Sequence, residues 1–261
     1  MNKDLTILVL DVGGNHIKLL CTGQTEPTKI ASGPKMTAAR MAADVKKAAA
    51  KWKYTRVSIG YPGAVLHDQP VAEPHNLGGG WVGFDYEKAF GCPVRIINDA
   101  AMQALGSYEG GRMLFLGLGT GLGSAMIVDG RMQPMELAHL PYKKGLTYED
   151  YVGERGLDRQ GKKKWRKAVA DVVERLRAAL EPDYVVLGGG NSRLIQELPD
   201  GVRLGDNANA FKGGFRMWPE EEPKESPAKK APAKNVAKRA SPRKKTAGTS
   251  GPVAAVPAEE E

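Results

Sequence analysis

The chain has 261 residues, with 38 Lys and Arg against 30 Asp and Glu, a formal charge of +8 and a hydrophobic fraction of 41%. That length supports one large domain or two modest lobes with a real core. Two cysteines, Cys21 and Cys92, exclude a disulfide scaffold and a Cys-rich zinc site and fit a reducing, cytoplasmic setting.

Residues 5–11 form an apolar run suited to a buried strand. The run is short, broken by Thr6 and closed by Asp11, so it is neither a signal core nor a membrane span. A second strand, 17–21, follows across a Gly-Gly turn, and the Ala-, Lys- and Met-rich stretch 37–51 predicts a helix. Short strands are expected at 57–60 and 94–97, a helix at 98–109, and a hairpin from 113–118 and 124–128. Trp165, Val169, Val172, Val173, Leu176 and Leu180 share a helical face, and a strand at 184–187 then runs into three glycines. Strands in tight sequence, with helices mixed in later, indicate a mixed-sheet α/β protein of two lobes.

Composition changes after Trp218. Residues 219–261 hold seven of the 17 prolines and no Leu, Ile, Phe, Tyr, Trp or Met; such a segment buries too little apolar area to offset its ordering entropy and is predicted to be disordered. Its nine basic and seven acidic residues leave 29 basic and 23 acidic in the body, so most of the surplus charge belongs to the folded part. The tail's Ala-Lys-Pro content fits a solubilising extension, with weak nonspecific nucleic-acid binding as the alternative.

Three glycine turns sit where strands end: Gly13-Gly14 after Asp11, Gly117 to Gly123 around Thr120, and Gly188-Gly189-Gly190 before Asn191. Bare backbone N–H groups in such turns can cradle an anion, and the third is expected to open a helix with its positive end toward a phosphate. None is a Walker loop, and each alone also reads as an ordinary hairpin turn. Asn98-Asp99 follows a strand; Asp99 either caps the next helix or serves as a general base. Glu136 and His139, three apart, can face one ligand on a helical turn or a tight loop, but no second His lies at metal spacing, so zinc is not expected.

Taken in order, DVGGNHIK, GYPGAV, NLGGGW, IINDA, LGLGTGLGSAMIVDG, MELAH and VVLGGGNSR resemble the ROK group of sugar kinases, and within it the polyphosphate glucokinases, over residues 5–218. The resemblance implies a two-lobed ribonuclease-H-like (actin-like ATPase and sugar kinase) fold. The expected divisions are an N-terminal lobe at 1–97, a C-terminal lobe at 98–206, a terminal helix at 207–218 packing back on the first lobe, and the disordered tail at 219–261. It implies phosphate binding by Asp11, Gly13, Gly14 and Lys18, with Asp11 holding Mg²⁺ through water, and by Gly119, Thr120, Gly121, Gly123, Gly189 and Gly190. Asn76, Asn98, Glu136 and His139 would bind a hexose such as glucose, with Asp99 as catalytic base. Residues 140–151 lack the cysteines that many relatives place after the Glu-x-x-His, which leaves the last sugar contact open between Glu149 and Glu154. Homodimerisation is a family-level expectation.

Five cations, Lys162, Lys163, Lys164, Arg166 and Lys167, surround Trp165 where its helix begins. Cations there oppose the helix dipole by about 0.3–1 kcal/mol each. They form either a solvated basic face or a track for a polyanion. With the family likeness, the reading is a glucokinase using polyphosphate, with ATP as a further candidate donor; the alternative is a non-catalytic sugar sensor or polyanion-binding scaffold.

Overall fold

The computed structural model describes residues 5–218. The predicted disordered tail lies outside the described residues. Strand β1 (Ile7–Val12) is paired on both edges and buried along its whole length, with Leu8, Leu10 and Val12 in one core cluster and Ile7 and Val9 in another. On one edge runs antiparallel β2 (His16–Cys21), which continues to β3 (Thr28–Ala31). Helix α1 (Ala38–Ala48) follows, capped by the Thr37 hydroxyl, which accepts from the Arg40 N–H at 3.2 Å, and it buries Met41, Ala42 and Val45. Lys46 and Lys47 in its last turn suit the negative end of the dipole.

On the other edge of β1 lies parallel β4 (Arg56–Tyr61). A small hairpin, β5 (Val65–Leu66) and β6 (Gln69–Pro70), then helix α2 (Tyr86–Phe90), lead to β7 (Val94–Asn98), and the first sheet has the order β3-β2-β1-β4-β7. The outer edge of β7 is closed by carboxylates: Asp68 accepts from the Ile96 N–H at 3.1 Å and Glu87 from the Val94 N–H at 3.3 Å. Edge donors satisfied this way leave no template for a further strand.

Helix α3 (Asp99–Ser107) starts directly from β7 and connects to the second sheet. That sheet is built from β8 (Arg112–Leu118), β9 (Leu122–Val128) and β10 (Arg131–Met135). A short hairpin, β11 (Pro141–Lys143) and β12 (Leu146–Thr147), leads into α4 (Tyr148–Val152) and α5 (Glu154–Leu180). Strands β13 (Tyr184–Gly188) and β14 (Val202–Leu204) complete the order β10-β9-β8-β13-β14. Helix α5 begins eleven residues before the predicted position and is broken at Gly161, where φ is 73°. The apolar face read from Trp165 onward belongs to its second half, which buries Trp165, Val169, Val172, Val173 and Leu176.

Helix α6 (Asn209–Arg216) returns to α3 and β1. The helices meet through glycine: a Cβ on Gly106 would collide with the Asn209 carbonyl, and one on Gly213 with the Met102 carbonyl. A Cβ on Gly214 would collide with the Val9 side chain of β1. Polar bonds fasten the same contact. The Ser58 hydroxyl donates to the Gly214 carbonyl at 2.6 Å and accepts from the Trp218 indole N–H at 2.9 Å. Arg216 donates to the carbonyls of Leu105, Gly106 and Tyr108, satisfying the open end of α3.

A methyl group at Gly213 has nowhere to go, so Gly213→Ala should lower stability by about 1–3 kcal/mol. In urea unfolding the midpoint should fall at unchanged m-value; an unchanged midpoint would refute the close crossing.

Candidate active site

A cleft of about 820 Å³ opens between the ends of the two sheets. Its walls include Gly13 and Gly14, Gly119 through Gly123, and Gly189 and Gly190, so residues of all three glycine turns face one space. Asn76, Asn98, Asp99, Glu136 and His139 line it too.

The floor is set by the junction of β7 with α3. The Asn98 side chain is the helix cap, accepting from the N–H groups of Ala100 at 2.9 Å and Ala101 at 3.2 Å. This corrects the alternative that makes Asp99 the cap: Asp99 is the first helical residue, and its carboxylate accepts from the Ala100 N–H at 2.8 Å. The Asn98 amide also donates to the Gly63 carbonyl at 3.1 Å, tying the floor to the loop after β4. Asp99 keeps some exposure into the cleft while its carboxyl sits deep. Burial raises its pKa to about 7, the Ala100 N–H pulls it down, and the negative charge of Asp11 pushes it up again.

Asp11 and Lys18 are not among the cleft-lining residues. They are register partners across β1 and β2, and the Lys18 ammonium donates to Asp11 at 2.9 Å. Asn76 packs on Gly14, where a side chain would begin only 3.2 Å from the Asn76 Cβ. Gly123 makes room for Ala100 of α3 in the same way: a methyl group on it would stand 2.6 Å from the Ala100 Cβ.

The second and third glycine turns are bonded together. Asn191 donates through its backbone to the Leu118 carbonyl at 2.9 Å and through its side chain to the Gly119 carbonyl at 3.3 Å. Gly189, with φ of 81°, lies against Leu118 too closely for any side chain. The expected helix after Gly190 is absent: Ser192–Leu194 makes a single 3₁₀ turn and Ile195 is already extended. That turn therefore offers N–H groups without a helix dipole behind them.

Glu136 and His139 lie in the irregular segment after β10, at the cleft's mouth, with side chains 70% and 74% exposed and 3.9 Å between Oε1 and Nε2. Glu149 and Glu154 both line the cleft. Glu149 accepts from the Leu122 N–H at 3.2 Å, while Arg155 reaches Glu149 at 3.6 Å and Asp150 at 3.5 Å. Gln103, Arg155 and Asp158, which the sequence reading does not single out, also line the walls. Gln103 carries a readable signal, standing four residues after Asp99 on one helix face; Arg155 and Asp158 carry none.

The basic cluster is beside the cleft rather than in it. Glu154, Arg155 and Asp158 from the first half of α5 face the cleft, and Lys162, Lys163 and Lys164 start immediately past the break at Gly161. The cations thus stand at the start of a fresh helical segment. Lys162, Lys163, Lys164 and Lys167 are exposed. Arg166 is half-buried and holds the segment after the 3₁₀ turn, donating to the Leu194 carbonyl at 2.6 Å and to the Gln196 side chain. Lys163, Arg166 and Lys167 border a separate groove whose floor includes Val169, Val173 and Leu187. Among the described residues no three His, Cys, Asp or Glu side chains are grouped to hold a metal ion, and no helix is long and apolar enough to cross a membrane.

The arrangement supplies a carboxylate on the cleft floor that can exchange a proton near neutral pH, glycine turns with free space around Gly119 and Gly190, and polar side chains at the mouth. In carboxyl-resolved NMR, Asp99 should titrate near pH 7 and move lower in Asp11→Asn, where the like charge is gone. Its folded pKa exceeds the unfolded one, so this group adds stability as pH falls from 7 toward 4 and costs stability above 7. Titration at the ordinary value near 4 would remove the argument for a base.

Residues 7–134 match the family model described as the ROK family. Polyphosphate glucokinase of Mycobacterium tuberculosis is 29% identical over 205 residues, covering 72% of this chain and 73% of that protein. Among solved structures, the inorganic polyphosphate/ATP-glucomannokinase of Arthrobacter sp. strain KM superimposes with a TM-score of 0.69 at 23% identity, covering 82% of this chain and 98% of that one. The ROK family glucokinase of Streptomyces griseus, solved with glucose and AMPPNP, gives 0.65 at 16% identity over 81% and 98%. Motif order, family model and fold agree: the chain resembles the ROK family and has the two-lobed actin-like ATPase fold.

Proposed function

We propose that this protein is a hexose kinase that transfers a phosphoryl group to the 6-hydroxyl of glucose from polyphosphate, with ATP as a second donor. The observation that carries the reading is the Asp99 carboxyl, deep in a cleft with its pKa raised to about 7 and flanked by residues of three glycine turns. The names of the relatives support a sugar as acceptor and polyphosphate as donor.

Phosphoryl transfer needs positioning and charge neutralisation more than covalent help. In this reading Asn76, Glu136 and His139 orient the sugar and Asp99 accepts the proton of the attacking hydroxyl. The N–H groups of Gly119 to Gly123 and of Gly189 and Gly190 take the donor phosphates. A general base is most effective when its pKa lies near the working pH, which suits the environment of Asp99. The two carboxylates Asp11 and Asp99 are near enough for one to raise the other, and, although Lys18 offsets the charge of Asp11, their oxygens are the ligand type a divalent cation takes. With no three ligands grouped among the described residues, Mg²⁺ would be held mainly by donor phosphates and water, Asp11 contacting it through water. Bound there, the ion would shield phosphate charge.

The polyphosphate reading rests on the exposed Lys162, Lys163, Lys164 and Lys167 past the break in α5. A linear polyanion rewards clustered cations through counterion release, and that reward falls with salt.

Asp99→Asn should retain glucose binding and lose kcat by about 10²–10⁴-fold, measured by glucose-6-phosphate formation; normal turnover would sink the assignment. Run with polyphosphate and ATP separately, the same assay decides the donor. Replacing Lys162, Lys163 and Lys164 with Ala should raise KM for polyphosphate, flatten its salt dependence and leave KM for glucose unchanged. An unaltered salt dependence would dispose of the track.

A further inference from the structure

Outside the cleft, one carboxylate gathers more partners than any other described side chain on α5. Asp171 Oδ2 accepts from the Tyr142 hydroxyl at 2.5 Å, the Lys143 ammonium at 2.9 Å and the Arg175 guanidinium at 3.0 Å. Tyr142 and Lys143 belong to β11, and Asp171 and Arg175 to the second half of α5. The Tyr142 ring packs edge-on against Tyr151 at 4.8 Å and tilted against Tyr148 at 5.3 Å, and both of these partners belong to α4. The Tyr142 hydroxyl and then the Lys143 ammonium hold the Asp171 carboxyl well below the ordinary carboxylate range, so the cluster stays charged at any working pH.

Helix α4 is short, and by length alone it would not hold a fixed orientation. Its start is fixed by the Thr147–Asp150 capping box and by two backbone bonds, from the Tyr148 N–H to Leu140 and from the Glu149 N–H to Ala138, each at 3.0 Å. The second bond joins it to the Glu136–His139 segment. Glu149 then accepts from the Leu122 N–H, and the Glu154 N–H donates to the Thr120 carbonyl at 3.2 Å. The tip of the β8–β9 hairpin is therefore held from outside by the α4–α5 corner.

We infer that Asp171 is a positioning residue for the cleft: by gathering Tyr142, Lys143 and Arg175 it fastens the β11–β12 hairpin and α4 to α5, and so fixes Glu149 against the phosphate-side loop at Leu122. Asp171 itself does not line the cleft. Its charge-assisted bonds are the strong kind, and they converge where a long surface loop would otherwise be free. The kinetic part of this inference rests on the proposed kinase activity; the structural part does not.

The test is a double-mutant cycle on the full chain with Asp171→Asn and Glu149→Ala, read as kcat/KM for glucose, together with hydrogen exchange of residues 119–123. Asp171→Asn should lower kcat/KM by roughly 10- to 100-fold, the scale of a misplaced catalytic frame. In the Glu149→Ala background the same change should cost no more than about 2-fold, because the side chain it positions is already gone. Exchange at 119–123 should quicken while exchange at 7–12 stays as it was. Asp171→Glu should recover part of the loss, and Tyr142→Phe, a milder change, should reproduce the exchange effect if Asp171→Asn does not fold. Additive losses in the cycle, or unchanged exchange at 119–123 in a folded variant, would overturn the positioning role. If the unaltered protein phosphorylates no sugar with either donor, the proposed function fails, and the exchange measurement still decides the lock.

Discussion

The closeness of α3 and α6 is the constraint on which the cleft depends. Three glycines, Gly106, Gly213 and Gly214, remove the side chains that would separate α3 from α6 and α6 from β1. Through them the helix carrying Asp99 is seated on the first sheet, while the opposite side of α3 packs on the second with Ala101 and Ala104 against Phe115, Ala125 and Val186. Asp99 therefore inherits its position from both sheets. Side chains of ordinary size at the crossing would push α3 outward and carry the cleft floor with it.

Charge is distributed with the same economy of position. The body holds a surplus of basic residues, yet Glu136, Glu149, Glu154 and Asp158 all line the cleft, with Arg155, His75 and His139 as the ionisable counterweights on its walls. In the proposed reading, a polyanionic donor would meet repulsion along the acidic wall and find N–H groups at the glycine turns. The lysines past Gly161 stand outside, where they can attract phosphate without neutralising the carboxylates. If the proposed donor is correct, separation of the two regions along one broken helix would give it a direction of approach.

The parts legible in the sequence are those written in local pattern. The apolar run of β1, the amphipathic face around Trp165 and the glycine turns after three strands each follow from a few adjacent residues. Motif order then brings Asn76, Asn98, Asp99, Glu136 and His139 under one reading, although they are scattered along the chain. What cannot be read is what depends on distant partners. Gly213 looks like a poor helix residue until Met102 is seen behind it. Asn98 and Asp99 are equally good caps by type, and only the backbone places Asn98 in that role. Asp171 and Tyr142 are 29 residues apart, and neither carries a motif. Gly161 is a residue type that accepts positive φ, but so is Gly156 in the same helix, and only the structure shows which of the two breaks it.

The seating of α6 on β1 also sets an order in time. Val9 is fully buried, and part of its cover is Gly214, more than two hundred residues later. A ribosome adding about 5–20 residues per second needs roughly 10–40 s to supply that cover. Throughout that interval one flank of the first strand is an apolar surface without its lid. The closing carboxylates on β7, Asp68 and Glu87, are already in the chain well before then. A half-made molecule thus has its sheet edge guarded early and its face completed last, which makes the emerging face, rather than the edge, the place where a nascent chain would need protection.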